Sequence, residues 1–215
     1  MKTKLFLISI LCLATASTVF AQEKNGEEMQ TLFGTEKFTF GGYGGPQVAY
    51  SSFDGRDIWL VGGKGGVIIN HCFVIGGAGY GITNPLRYEN LEFEGDIYSK
   101  AYINGGYGGF LMEGIFWPKK LVHVSVPVLI GAGGLMFTDQ LYPEGNDQNM
   151  DDHIITYSSF FVLEPGLEVE LNVVKFMRLT AGVSYRYAPN VDLPSVSSNA
   201  FNSLKASVSL KFGHF

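Results

Sequence analysis

Met177-Arg178-Leu179-Thr180-Ala181-Gly182-Val183-Ser184-Tyr185-Arg186-Tyr187 alternates without a break. Met177, Leu179, Ala181, Val183, Tyr185 and Tyr187 fall on one face, and Arg178, Thr180, Gly182, Ser184 and Arg186 on the other. A period of two is the signature of an extended strand, whose successive side chains point to opposite faces. The stretch after it repeats the pattern, with Leu204, Ala206, Val208, Leu210 and Phe212 set against Ser203, Lys205, Ser207, Ser209 and Lys211. The stretch before it does the same, with Phe161, Leu163, Pro165, Leu167, Val169 and Leu171 against Glu164, Gly166, Glu168 and Glu170. Val122 to Ile130 is a fourth, and beyond residue 21 no helical stripe competes with these.

Glycine-rich strands are expected at 37–52, 57–70, 73–83 and 97–116, which makes eight. Their connections alternate in length. Asn70-His71-Cys72, Trp117-Pro118-Lys119-Lys120 and Asn172-Val173-Val174-Lys175 are tight, whereas 84–96, 139–153 and 188–200 are long and 53–56 is modest. Tight turns at every second connection describe an up-and-down meander with one loop-bearing end. A membrane-crossing strand takes about 9–11 residues, so eight fit and sixteen, at about 160 residues before any loop, do not. The expected fold class is all-β, an eight-stranded antiparallel up-and-down transmembrane β-barrel.

The composition agrees. Of 215 residues, 46% are hydrophobic and 16% charged, with 28 glycines. Soluble domains average about 25% charged residues, so strands this long would be unusually bare if one face met water. The formal charge of −5 and the lack of a basic block exclude nucleic acid as an expected partner.

Lys2 and Lys4, the apolar run Leu5–Ala16 and the small-residue site at Ala21 read as a cleaved signal peptide over 1–21. Residues 22–36 read as a polar periplasmic leader and 37–215 as the barrel domain. Cleavage would remove two lysines, leaving 13 Lys+Arg against 20 Asp+Glu, and would leave Cys72 as the one cysteine, so no internal disulfide can form.

Aromatic residues cluster near the strand ends: Tyr50, Phe53, Trp59, Tyr80, Tyr98, Tyr102, Phe137, Tyr157, Tyr185 and Tyr187 towards the long loops, and Phe73, Phe116, Trp117, Phe176 and Phe212 towards the turns. Two such girdles suit the two membrane interfaces. With Ser203–Phe215 as its final alternating strand, the chain resembles the small eight-stranded outer-membrane barrels of Gram-negative bacteria over about residues 37–215. The resemblance implies an outer-membrane location and recognition of the terminal strand by the barrel-assembly machinery, with Phe212 and Phe215 as the assembly signal. Phe215 lies off the parity of Leu204–Phe212. The GGYGG runs at 41–45 and 105–109 resemble the style of exported Bacteroidetes barrels.

In such a barrel the apolar faces meet lipid and the polar faces turn inward. The inward parity carries Lys64, Glu113, Glu164, Glu168, Glu170, Arg178, Arg186, Lys205 and Lys211. An eight-stranded lumen is just wide enough for side chains to fill it, so these opposite charges are expected to pair across neighbouring strands and plug it. Glycines flanking Tyr43, Lys64 and Tyr107 are expected to make room for those large inward residues and to relieve backbone crowding at tight curvature.

Two patterns could carry further chemistry. His123 and Ser125 share a strand face, and an H-x-S pair resembles that of the lipid A deacylases, which makes them candidate base and nucleophile; two polar lumen residues are the plainer reading. Asp147, Asp151, Asp152 and His153 crowd one loop as candidate ligands for a divalent cation, but they lack EF-hand spacing, and a solvated acidic loop is the plainer reading. No phosphate loop is present and no cofactor is expected. The reading is therefore a monomeric outer-membrane barrel with a plugged lumen, more a structural, adhesive or ligand-displaying protein than an enzyme. Its partners are outer-membrane lipid and lipopolysaccharide, the assembly machinery and an unknown extracellular ligand. The alternatives are a soluble periplasmic lipocalin-like barrel holding an apolar molecule, and a lipid A-modifying outer-membrane hydrolase.

Overall fold

The computed structural model describes residues 38–140 and 153–215; the expected signal peptide (1–21) and leader (22–36) lie outside these, as do Asp147, Asp151 and Asp152. Nine antiparallel strands follow in chain order: β1 (Phe40–Phe53), β2 (Arg56–Ile69), β3 (Phe73–Ile82), β4 (Leu86–Phe93), β5 (Asp96–Phe116), β6 (Val122–Thr138), β7 (Ile154–Val174), β8 (Met177–Arg186) and β9 (Ser203–His214). Except for β3 and β4, neighbours in the chain are neighbours in the sheet, and β9 returns to pair with β1 from Gly42↔His214 to Tyr50↔Ala206. This seam closes the ring, and closure leaves no edge to pair elsewhere.

The ring has eight staves, because β3 and β4 form one. Both pair with β5, β3 with its lower half and β4 with its upper half. From Gly81 to Leu86 this stave advances five positions while β5 retreats three, from Gly106 to Ile103. The slack forms a kink at Thr83-Asn84-Pro85, where proline cannot donate to a ladder. Asn84 fills the gap: its Oδ1 accepts from the Trp59 amide at 2.6 Å and its Nδ2 donates to the Asp57 carbonyl at 3.1 Å. The expected loop 84–96 is thus a β-hairpin. Glu94 and Gly95 both take positive φ (53° and 94°), the geometry of a tight two-residue turn.

Outward parity is apolar throughout the middle of the barrel. Val48, Val61, Val67, Ile75, Phe110, Val126, Leu167, Val169, Val183 and Val208 are all exposed. Among the described residues no charged side chain faces outward between the two ends. A soluble lipocalin-like barrel needs the opposite parity, with apolar faces inward and Glu168, Arg178 and Lys205 wet. All three are buried instead, so that alternative does not match the structure.

Above this band the parity reverses. Leu86, Leu91, Ala101, Ile103, Leu135, Phe137, Phe160 and Val162 turn inward and are buried, while Arg87, Glu89, Glu92, Lys100 and Ser159 turn out. Segment 188–202 folds over the top of this second, apolar core and contributes Ala188, Val191, Leu193, Ala200 and Phe201 to it. It is therefore a cap rather than the freely solvated loop its length suggests. Phe53, Tyr80 and Phe137 also belong inside, so the outer girdle consists of Tyr50, Trp59, Tyr157, Tyr185 and Tyr187, all exposed.

Of the two purposes expected of the glycines, relief of backbone crowding is the one most directly seen. A Cβ on Gly45 would run into the Leu210 carbonyl oxygen of the neighbouring strand, and one on Gly62 into that of Gly79. These positions permit close backbone approach in a tightly coiled small barrel.

Candidate functional site in the barrel interior

Alternation on β2, β5, β7, β8 and β9 brings all nine inward charged residues into the interior, each no more than 6% exposed. An ionised group out of water must be paired and hydrogen-bonded. The pairs reach mainly across the lumen rather than between adjacent strands. Lys64 on β2 places its Nζ 2.5 Å from both carboxylate oxygens of Glu168 on β7. Lys205 on β9 pairs with Glu164 on β7, two strands away. Lys211 on β9 donates to Glu113 on β5 at 2.6 Å and to Glu170 on β7 at 2.5 Å, and lies 3.5 Å from Glu168. Arg178 joins Glu170 at 3.2 Å, the one arginine–carboxylate pair between neighbouring strands.

Neutral groups complete the shell. Tyr43 donates to Glu113 and Tyr107 to Glu164, each at 2.6 Å. The ammonium of Lys205 lies 3.9 Å from the centre of the Tyr80 ring, and Tyr80 itself donates to Gln47 at 2.5 Å. The remaining space at this level is a cavity of about 20 Å³, room for about one water molecule.

His123 and Ser125 are buried in the same network but do not bond each other. His123 Nε2 lies 3.0 Å from one oxygen of Glu170, and Ser125 donates to the other at 2.8 Å. The serine is therefore held by a carboxylate rather than by the imidazole, and neither residue reaches the lipid-facing surface. A hydrolase acting on lipid needs an exposed nucleophile beside its base, and this geometry supplies neither.

Glu113, Glu168 and Glu170 offer oxygens within 4.8 Å of one another, a spacing that suits a metal ion. Lys211 inserts its ammonium among them and supplies the positive charge a cation would bring. His153, the one described member of the loop candidates, pairs its Nδ1 with Asp139 Oδ1 at 3.1 Å.

Arg186, fully buried near the top, has no carboxylate within salt-bridge distance among the described residues. Its Nε donates to the Phe201 carbonyl at 2.8 Å, its Nη2 to Ser51 Oγ at 3.1 Å and the Ser52 carbonyl at 3.2 Å, and its guanidinium lies 3.6 Å from the Phe201 ring centre. It pins the 188–202 cap to β1. Nothing in the local sequence marks Phe201 as its partner; only the folded cap brings them together. At the opposite end, Phe212 faces outward while Phe215 turns in. Phe215 stacks on Tyr43 at 6.3 Å between ring centres and covers the Arg178 guanidinium at 3.9 Å.

The chain trace is similar to that of solved structures. Neisserial surface protein A superposes with a TM-score of 0.50 at 16% identity, over 82% of this chain and 99% of that one. The shared property is the fold. Ail, the attachment invasion locus protein of Yersinia pestis, gives 0.43 at 11% identity over 81% and 95%, and the outer membrane protein OprG of Pseudomonas aeruginosa gives 0.40 at 14% over 82% and 96%. No family model and no curated protein matches the sequence.

Proposed function

We propose that this chain is a monomeric outer-membrane barrel with a plugged lumen, acting through its loop-bearing end as a structural, adhesive or ligand-displaying protein. The carrying observation is the parity of the closed ring: large apolar side chains exposed all round its middle, and nine charges buried inside. In water such a surface would aggregate, and in a bilayer it is the stable arrangement. The tight turns lie on the periplasmic side in this reading. The acidic long-loop end then faces the lipopolysaccharide surface, and Phe212 on the outward face of β9 is the aromatic offered to the assembly machinery. The ion-paired lower lumen and the capped apolar upper core both support a plug.

Cell fractionation tests the location. The expected protein pellets with the outer membrane and migrates faster on gels before boiling than after; a soluble periplasmic pool would reject the reading. Planar-bilayer recording tests the plug. The native protein should show no sustained conductance, and neither should Lys64→Ala with Glu168→Ala, because the apolar upper core and its cap remain in place. Steady channels from the native protein would reject the plug.

A further inference from the structure

The two ends of the barrel differ in charge. At the long-loop end the described residues carry eight acids (Asp54, Asp57, Glu89, Glu92, Glu94, Asp96, Asp139, Asp192) against Arg56, Arg87 and Lys100. At the turn end Lys119, Lys120 and Lys175 stand with His71 and His214, and no acidic side chain among the described residues lies there. The turns surround an axial cup of about 760 Å³, within the range of ligand-binding clefts. Its lining includes His71, Lys119, Lys175, Arg178, His214 and Phe215. Arg178 is 4% exposed and its Nε has no partner, although its Nη1 is held by Glu170.

We infer that this cup is a docking site for an acidic peptide segment of a periplasmic partner. The inference rests on the proposed orientation, in which the turns face the periplasm. The class of ligand follows from how the cations are distributed. Lys119 comes from the β5–β6 turn and Lys175 from the β7–β8 turn, with the imidazoles of His71 from the β2–β3 turn and His214 from the end of β9 as further hydrogen-bonding groups, so cationic and polar groups come from four separate segments round the cup. A single phosphate would call for convergent donors, whereas a chain bearing several carboxylates can meet separated ones. Val174, Phe176 and Pro118 add apolar wall between the charges, which suits a peptide better than a free ion. Because the lysines are rim charges, attraction should be strongly screened by salt.

The test uses the full chain in zwitterionic nanodiscs and a fluorescent octaglutamate peptide followed by anisotropy. Saturable binding is expected, weakening steeply as NaCl rises. Lys119→Glu with Lys175→Glu should lower affinity about tenfold or more, and Lys100→Glu at the far end should leave it unchanged. No binding, or binding indifferent to the double substitution, overturns the proposal. Displacement of the peptide by inorganic phosphate at equal charge would make the cup a small-anion site and also overturn it. So would capture of phosphatidylglycerol vesicles by a protein that ignores the peptide. Heat-modifiable mobility, read on the same preparations, separates a failed docking site from a failed barrel: peptide binding lost with mobility retained counts against the cup alone.

Discussion

Lys211 shows how much can depend on one side chain. Its ammonium answers Glu113, Glu168 and Glu170 together, and among the described residues no other cation lies within hydrogen-bonding distance of all three. Replacing it by methionine keeps the bulk and leaves carboxylates buried without their counter-charge. Lys211→Met should therefore cost about 3–5 kcal/mol of folding free energy, read from urea titrations in lipid vesicles by tryptophan fluorescence. Adding Glu113→Gln and Glu170→Gln should recover most of that loss; a single-variant loss below about 1 kcal/mol would mean the network carries little stability. The inward direction of Lys211 was legible, since Leu210 and Phe212 flank it on the apolar parity. Its partners were not. They depend on how far strands slide past one another around the ring, and local alternation does not record that slide.

At the scale of elements, the informative change is the reversal of parity along β5, β6 and β7. Below Asn104 on β5 and Ser159 on β7 the outward residues are apolar, and above them they mix charged, polar and aromatic side chains such as Lys100, Tyr102 and Tyr157, while the inner face changes from charged to apolar. That crossover marks where lipid gives way to water. Leu167→Arg, in the apolar band, should destabilise the folded barrel by about 2–4 kcal/mol, whereas Ser159→Arg should cost about 0–1 kcal/mol. Equal costs in a bilayer folding assay would put the boundary elsewhere. The hairpin inside 84–96 escaped sequence reading for a related reason. Glu89, Glu92 and Glu94 give that stretch the polarity of a loop, because it stands clear of the membrane and its outward face is wet. The Glu94-Gly95 turn was the available signal. The apolar residues Leu86 and Leu91 pack inward there, as in a soluble sheet.

For the whole molecule, orientation follows from which end carries Cys72. This exposed thiol sits in the tight turn after β2. In intact cells a bulky polyethylene-glycol maleimide should leave it unmodified and should label it once the outer membrane is permeabilised. Ser198→Cys in a Cys72→Ser background, on the cap, should be labelled in intact cells; the reverse pattern would invert the barrel. The β1–β9 seam carries a consequence for how the molecule is made. It joins residues 42–50 to 206–214, the widest sequence separation of any strand pair here. Until β9 has emerged, β1 is a row of unsatisfied amides and carbonyls with no place in hydrocarbon. Insertion and closure should therefore be concerted and late. Shortening or weakening β9 should slow assembly and leave the chain to proteases in the periplasm, rather than yield a partly built barrel in the membrane.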